Sequence, residues 1–392
     1  MERKRHLVSR RGVLISTAAA ALAAGTLASC STAEPRGADA DHEFDVVVIG
    51  AGATGLSAAR DLADAGKKIV VVEARDRTCG RMFTDRTSMP VPIELGCEFI
   101  HGRNASTWEL VRKYNLKTHF AAVNVSRTQP GGPWETADQS DVPPEYQNFQ
   151  VVGGYDKILA PLAEGLPIQL NTLVGRVEHS PSGVVVHAGQ KGRAVTYRAR
   201  YAVVAVPAAV LAADAIEFSP ALPPEKVEAL KAAPQPDTTK VLMQFDHPVL
   251  PGGADWIREA GMTDVTYVWR SSPEMPGFKG QVVGVAADMD EATRLLALPA
   301  QRRYAEFLDL VRGVAGDPKL VPIKVVEHEW AKDPFARSPM TDTEEMDEQI
   351  PGVIYRPDND SLYWAGVVTD QVDYSRESGR KVAAELLARL PR

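Results

Sequence analysis

Asp45-Val46-Val47-Val48-Ile49-Gly50-Ala51-Gly52-Ala53-Thr54-Gly55 is an apolar run closed by glycines in the order G-x-G-x-x-G. Its β-branched residues favour a strand covered on both faces. Gly50 permits a tight turn off that strand, Gly52 leaves room for a pyrophosphate to approach the backbone, and Gly55 lets the following helix pack close. Ala53 and Thr54 open the helix, where free N–H groups and the helix dipole favour negative charge. Glycine-rich turns are common, so the flanks decide. Leu56, Ala59, Leu62 and Ala63 recur at helical spacing, Gly66 is placed to end the helix, and Lys67-Lys68-Ile69-Val70-Val71-Val72 reads as a second buried strand. Glu73 closes that strand about 20 residues beyond the glycines, where a carboxylate accepts ribose hydroxyls and disfavours a 2′-phosphate. The stretch therefore reads as a dinucleotide-binding β-α-β unit.

The residues after the acid narrow the cofactor. Glu73-Ala74-Arg75-Asp76-Arg77-Thr78-Cys79-Gly80-Arg81 resembles the E-A-R-x-R-x-G-G-R stretch of the flavin-containing amine oxidase family, with Cys79 in place of the first glycine of the pair. The resemblance implies FAD, with this loop along the pyrophosphate and ribityl chain and Arg81 supplying a guanidinium suited to phosphate. Pro92-Ile93-Glu94-Leu95-Gly96-Cys97-Glu98-Phe99-Ile100-His101-Gly102 resembles the family's E-L-G-A-x-W-I-H-G segment. That implies Gly96 and Cys97 beside the isoalloxazine and His101 at the mouth of a substrate cavity. A structural histidine bonded to neighbouring backbone is the alternative for His101. Glu98 either points into the cavity or pairs with a surface arginine.

Further segments extend the resemblance over most of the chain. Val151-Val152-Gly153-Gly154-Tyr155 matches a G-G that precedes a helix. Ile168 to Val177 is similar to the strand whose valine, Val174 here, meets adenine through its backbone. Val204-Ala205-Val206-Pro207 matches an A-x-P crossover, and Trp330-Ala331-Lys332-Asp333-Pro334 matches W-x-x-D-P without the G-S-Y that follows in the family. Thr238-Thr239-Lys240-Val241-Leu242-Met243-Gln244-Phe245 alternates as a strand and resembles the one whose lysine faces flavin N5 through a water; a solvated strand lysine is the alternative for Lys240. Ser361-Leu362-Tyr363-Trp364-Ala365-Gly366 resembles the L-Y-F-A-G-E strand, with Ser378-Gly379-Arg380 expected to open the last helix. Val367 stands where the family has Glu or Thr at the ribityl-pyrophosphate region, and the link to the last helix is several residues shorter. That link normally supplies an aromatic wall of the substrate site and a helix N-terminus near flavin N1 and O2.

The implied fold class is α/β, a Rossmann-like FAD-binding domain with an inserted α+β substrate domain. Residues 44–104, 151–219 and 350–392 are expected to form the first, and 105–150 with 220–349 the second. The implied reaction is hydride transfer from an amine-bearing carbon to flavin N5, with imine hydrolysis and release of hydrogen peroxide after reoxidation by molecular oxygen. An L-amino-acid oxidase or a desaturase-like enzyme shares the fold, the former needing an arginine for the carboxylate, for which Arg270 and Arg337 are available. A surface flavoprotein without oxidase activity is a third reading. Cys79 and Cys97 either pair or remain buried thiols, and pairing demands Cα atoms about 4.4 to 6.8 Å apart.

The first thirty residues read as an export signal. Ser9-Arg10-Arg11-Gly12-Val13-Leu14 resembles a twin-arginine motif, and the alanine-rich segment from Val13 to Leu27 is short and weakly apolar for a membrane span. Leu27-Ala28-Ser29-Cys30 resembles a lipobox, which would leave Cys30 lipidated on the outer side of a bacterial membrane and residues 31–43 as a tether. The chain carries 44 Lys and Arg against 51 Asp and Glu, for a net charge of −7. Loss of the basic leader makes the remainder more negative still, which opposes nucleic-acid binding. The expected partners are thus a small amine and oxygen, with membrane contact only through the anchor.

Overall fold

The structure, a computed structural model, describes residues 42–129, 131–138, 142–259, 266–271 and 275–391. The export signal, Cys30 and most of the tether lie outside the described residues.

The opening run forms strand β1 (Phe44–Ile49), followed by helix α1 (Ala53–Asp64) and strand β2 (Ile69–Val72). β1 pairs in parallel with β2 on one side and with the long strand Arg193–Val204 on the other. Val46 and Val48 enter one apolar core with Leu56 and Leu62, while Val47 and Ile49 enter a second with Val70 and Val204. Both faces of β1 are therefore covered, which is why the strand carries no polar alternation. Gly66, at φ +75°, follows the last turn of α1 and donates its N–H to the Ala63 carbonyl at 2.9 Å, so it ends the helix.

An eight-stranded mixed sheet grows from this unit. Its order is Ile168–Gln169, β2, β1, Arg193–Val204, Gly183–Gln190, Thr172–Ser180, Glu217–Ser219, and Leu362–Trp364 pairs in parallel with the end of Arg193–Val204. The strand expected over 168–177 is broken, because Asn171 takes φ +52° between two strands. The second large sheet has seven strands, in the order Lys324–Glu327, Thr238–Phe245, Gln281–Asp288, Thr266–Ser271, Trp256–Glu259, Val123–Arg127, Glu135–Asp138. Residues from 105–150 and from 220–349 thus share one sheet, whose core includes Met243, Val285 and Phe307. A three-stranded sheet of Phe99–His101, Asn148–Val151 and Thr118–Phe120 completes the strands that bear on the site.

The last helix corrects the sequence reading. It opens at Val372, not at Ser378, and runs to Arg389. Gln371 supplies the extended backbone at its start, so the short link after Trp364 is absorbed without losing the first turns of the helix. Gly379 lies inside it and allows the close packing on α1, since a Cβ there would stand 2.2 Å from the Thr54 carbonyl oxygen. Ser378 accepts the Gly366 N–H at 2.9 Å. Among the described residues no helix is long and apolar enough to cross a membrane.

Candidate cofactor and active site

A cavity of about 400 Å³ opens at the ends of β1 and β2 beside the first turn of α1. Gly50, Gly52, Ala53, Thr54, Glu73, Ala74, Arg75, Gly80, Arg81, Cys97, Val174 and Gly366 all line it. Segments far apart in the chain thus meet at one site. Gly50 turns at φ +103° with space for no side chain, because a Cβ would lie 2.6 Å from the Ala205 carbonyl oxygen. Gly52 and Gly80 face each other closely, a Cβ on Gly80 coming within 3.2 Å of the Gly52 Cα.

Glu73 is buried and ties the glycine turn to the following loop. One carboxylate oxygen accepts the Ala51 N–H at 2.7 Å and the other accepts the Arg75 N–H at 2.8 Å. A carboxylate has about four acceptor positions, so two remain for a ribose diol. Arg75 does not offer its charge to the cavity, since its guanidinium makes a fork to Asp333 at 2.7 and 2.8 Å. Arg81 does. Its Nη1 donates to the Pro339 carbonyl at 3.0 Å, no ion pair to it is found among the described residues, and burial lowers its pKa. A cation desolvated without a counter-charge calls for an anion. The unpaired guanidinium, the N-terminus of α1 and the half-used Glu73 carboxylate fit the pyrophosphate and ribose of FAD.

Cys79 adopts φ +70° where a glycine would be at ease, at a strain of about 1 to 2 kcal/mol. Its side chain is buried in the core beside α1, which offsets that strain. Burial pushes the thiol up to about 11 and also raises that of Cys97. Both cysteines are free.

Five expected contacts lie off the cavity lining. Gly55 packs under the turn, where a Cβ would come 1.9 Å from the Gly50 carbonyl oxygen, and Gly96 presses on the Arg81 carbonyl oxygen at a corresponding 1.7 Å. Val367 is a correction: its side chain is fully buried in the apolar core and its carbonyl accepts the Ala208 N–H at 3.0 Å. A valine there has no polar group to turn toward a ribityl chain. His101 does not line the cofactor cavity. It is exposed at the end of its strand with Nδ1 2.7 Å from Asn148 Oδ1, so its partner is a neighbouring side chain rather than the cavity. Lys240 lies one peptide behind the wall: its ammonium donates to the Gly96 carbonyl at 2.6 Å and to Glu98 Oε2 at 3.3 Å, with the Trp269 ring centroid 5.8 Å away. It is a half-buried, paired lysine, not a freely solvated one.

The cavity wall from Pro334 to Pro339 was the missed element. Pro334, Phe335, Arg337 and Pro339 line it, and Asp333 anchors the segment by accepting from Arg75, from His328 at 3.0 Å and from the Phe335 N–H at 2.9 Å. Those bonds hold Asp333 well below the usual carboxylate range. Trp330 fixes the other end by donating its indole N–H to the Leu95 carbonyl at 2.8 Å. The W-x-x-D-P signal was present, but its pairing with Arg75 crosses some 258 positions of sequence.

Glu94, beside this site, is buried and pushed up to about 7 by burial, although Tyr155 N–H and the Thr84 hydroxyl donate to it at 2.7 and 2.8 Å. A carboxyl whose folded pKa lies above its unfolded value favours folding at low pH and loses that contribution as pH rises between the two. Stability should therefore fall by about 3 kcal/mol from this group between pH 4.5 and 7. Glu94→Gln should flatten that window in chemical denaturation, and an unchanged slope would contradict the assignment.

Comparison with known proteins agrees with this geometry. The family model of flavin containing amine oxidoreductases matches residues 53–150 and 134–387. "Putative flavin-containing monoamine oxidase AofH" of Mycobacterium tuberculosis is 25% identical over 451 residues, covering 88% of this chain and 97% of that protein. "Lysine-specific histone demethylase 1 homolog 3" of Arabidopsis thaliana is 46% identical over 85 residues, a match spanning 20% of this chain and only 5% of that protein's length. Cyclohexylamine oxidase from Brevibacterium oxydans superposes with a TM-score of 0.74 at 20% identity, covering 89% of this chain and 100% of that one, and so shares the fold. The chain belongs to the flavin containing amine oxidoreductase family. It has the amine oxidase fold, its cofactor is FAD, and it is an FAD-dependent amine oxidase in class.

Proposed function

We propose that this protein oxidises a small amine at the carbon bearing nitrogen and releases an imine, which water hydrolyses to a carbonyl compound and ammonia or a smaller amine. FAD supplies the acceptor for the hydride, and oxygen takes the electrons onward as hydrogen peroxide. The observation that carries this reading is the convergence of Gly52, Glu73, Gly80, Arg81, Cys97 and Gly366 on one cavity, with the paired Lys240 directly behind Gly96. Arg81 and the α1 N-terminus would hold the pyrophosphate, Glu73 the ribose, and the Gly96–Cys97 backbone the ring system. No general base is assigned, and a neutral amine in an apolar site requires none.

An amine is favoured over an amino acid because Arg270 is already taken. Its Nη2 lies 2.5 Å from Asp255 Oδ1, and Asp255 also meets His119 at 2.8 Å. Arg337 lines the cofactor cavity with Pro334 and Pro339. Purified protein should be yellow, and anaerobic mixing with a panel of amines should bleach it while amino acids do not. Bleaching by amino acids alone would reverse the substrate reading; no bleaching by any compound would favour a flavoprotein without oxidase activity.

We also propose a division of the chain into an FAD-binding part of 44–104, 151–219 and 350–392 and a substrate part of 105–150 and 220–349. Export with lipid anchoring at Cys30 is proposed from the leader sequence. Cys30→Ala should move the protein out of the membrane fraction, because acyl chains contribute about 0.8 kcal/mol per buried CH₂. Unaltered partition on fractionation would rule the anchor out.

A further inference from the structure

Lys240 is not alone behind the cavity wall. Glu98 is buried, with one carboxylate oxygen 3.3 Å from the Lys240 ammonium and the other accepting the Gln150 amide N–H at 2.8 Å. Gln150 is buried as well and is fixed in turn, since the same amide nitrogen donates to the Arg270 carbonyl at 3.0 Å. The Glu98 carboxylate is therefore held in one orientation by a side chain that does not touch the cavity. Gly96, whose carbonyl takes the other Lys240 bond, is followed directly by Cys97, which does line the cavity.

We infer that Glu98 is a positioning residue that pins the Lys240 ammonium to the Gly96 carbonyl and offsets its charge, and so limits the positive potential the chain presents to the ring of bound FAD. The inference rests on the proposed amine oxidase function. An isolated ammonium one peptide from the cavity would act on it nearly unopposed in a site of low dielectric. With a carboxylate at 3.3 Å the ammonium acts as part of a dipole, whose field falls off faster. Glu94 and Arg81 are the other ionisable neighbours, the first on the strand leading into Gly96 and the second with its carbonyl against Gly96 and the Cys97 N–H. Neither contacts the Lys240 ammonium, so Glu98 is its one carboxylate partner among the described residues.

A double-mutant cycle on the holoenzyme separates this from a purely structural role. Sulfite is the probe: it adds to oxidised flavin, bleaches it, and binds more tightly as the local potential becomes more positive. Glu98→Gln keeps the shape and one acceptor oxygen for Lys240, giving up the bond from Gln150, while removing the negative charge, and it should tighten sulfite binding about ten-fold. In the Lys240→Met background the same change should matter less than about two-fold, because no ammonium is left for Glu98 to pin or to offset. Glu98→Met, of similar volume, is the second variant and should shift sulfite binding in the same direction. Thermal melting of each holoenzyme reports whether the fold is retained. Unchanged sulfite affinity in both Glu98 variants, or an equal effect with and without Lys240, would overturn the inference. Normal sulfite binding with no reduction by any amine would instead count against the proposed function and leave the pairing in place.

Discussion

Gly96→Ala should yield a protein that purifies largely colourless and melts well below the parent. The position does not line the FAD cavity, yet the backbone around it is already in contact on one side. A Cβ would stand 1.7 Å from the Arg81 carbonyl oxygen and 3.1 Å from the Trp330 ring. The first clash is with backbone, so no rotamer change relieves it. The strand and the Arg77–Arg81 loop must separate, which breaks the 3.2 Å bond from the Cys97 N–H to the Arg81 carbonyl. Overpacking of this kind costs about 1 to 3 kcal/mol, and displacing a guanidinium from its anion about 1.5 to 3 more. FAD affinity should fall by about 10² to 10³-fold, read by titration of the apoprotein. Arg81→Met separates the two contributions. It removes the charge without moving the backbone, so it should weaken FAD binding while leaving the apoprotein as stable as the parent or more so, since the desolvated cation is gone. If Gly96→Ala retains full yellow colour and an unchanged melting temperature, the close approach of these two segments is wrong.

The sequence was most legible where function demands special backbone. Gly50 and Gly80 could be read because each combines a positive φ with backbone close to where a Cβ would stand, and Gly52 because it faces Gly80 at the cavity, so the requirement is written at the position itself. Glu73 was legible for its place at the end of β2, although its two backbone bonds, which make it part of the scaffold, were not. What stayed hidden depends on pairs distant in sequence. Nothing local in Arg75 tells that its charge belongs to Asp333, or in Glu98 that its partner is Lys240. His101 and Val367 were read from motif position alone; the structure turns one outward and the other into the core, because Asn148 sits across the strand from the first and Ala208 claims the carbonyl of the second. The start of the last helix was misplaced because Gln371 carries no recognisable capping signal, and the helix begins on backbone conformation rather than on a side-chain cap.

Lys240→Met carries the largest kinetic effect expected of any single side chain here. The substitution keeps the length of the side chain and removes both its charge and its bond to the Gly96 carbonyl. Passage of electrons from reduced cofactor to oxygen develops negative charge on oxygen, and a fixed ammonium in a water-poor site stabilises that charge more than water does. Reduction of the flavin by an amine involves no such anion. Anaerobic reduction should therefore survive with a modest loss while reoxidation slows by about 10²-fold, equivalent to roughly 2.7 kcal/mol of barrier. Stopped-flow measurement of the two half-reactions separates them. The melting temperature should also drop, because breaking one partner from a buried ion pair leaves Glu98 desolvated, at a cost of about 3 to 5 kcal/mol unless it is neutralised. Adding Glu98→Gln should recover most of that stability without restoring fast reoxidation, since it removes the orphaned carboxylate but supplies no cation. Should reoxidation proceed at the parent rate in Lys240→Met, the lysine serves only the packing of strand Thr238–Phe245 against Gly96, and oxygen is either activated elsewhere or is not the acceptor.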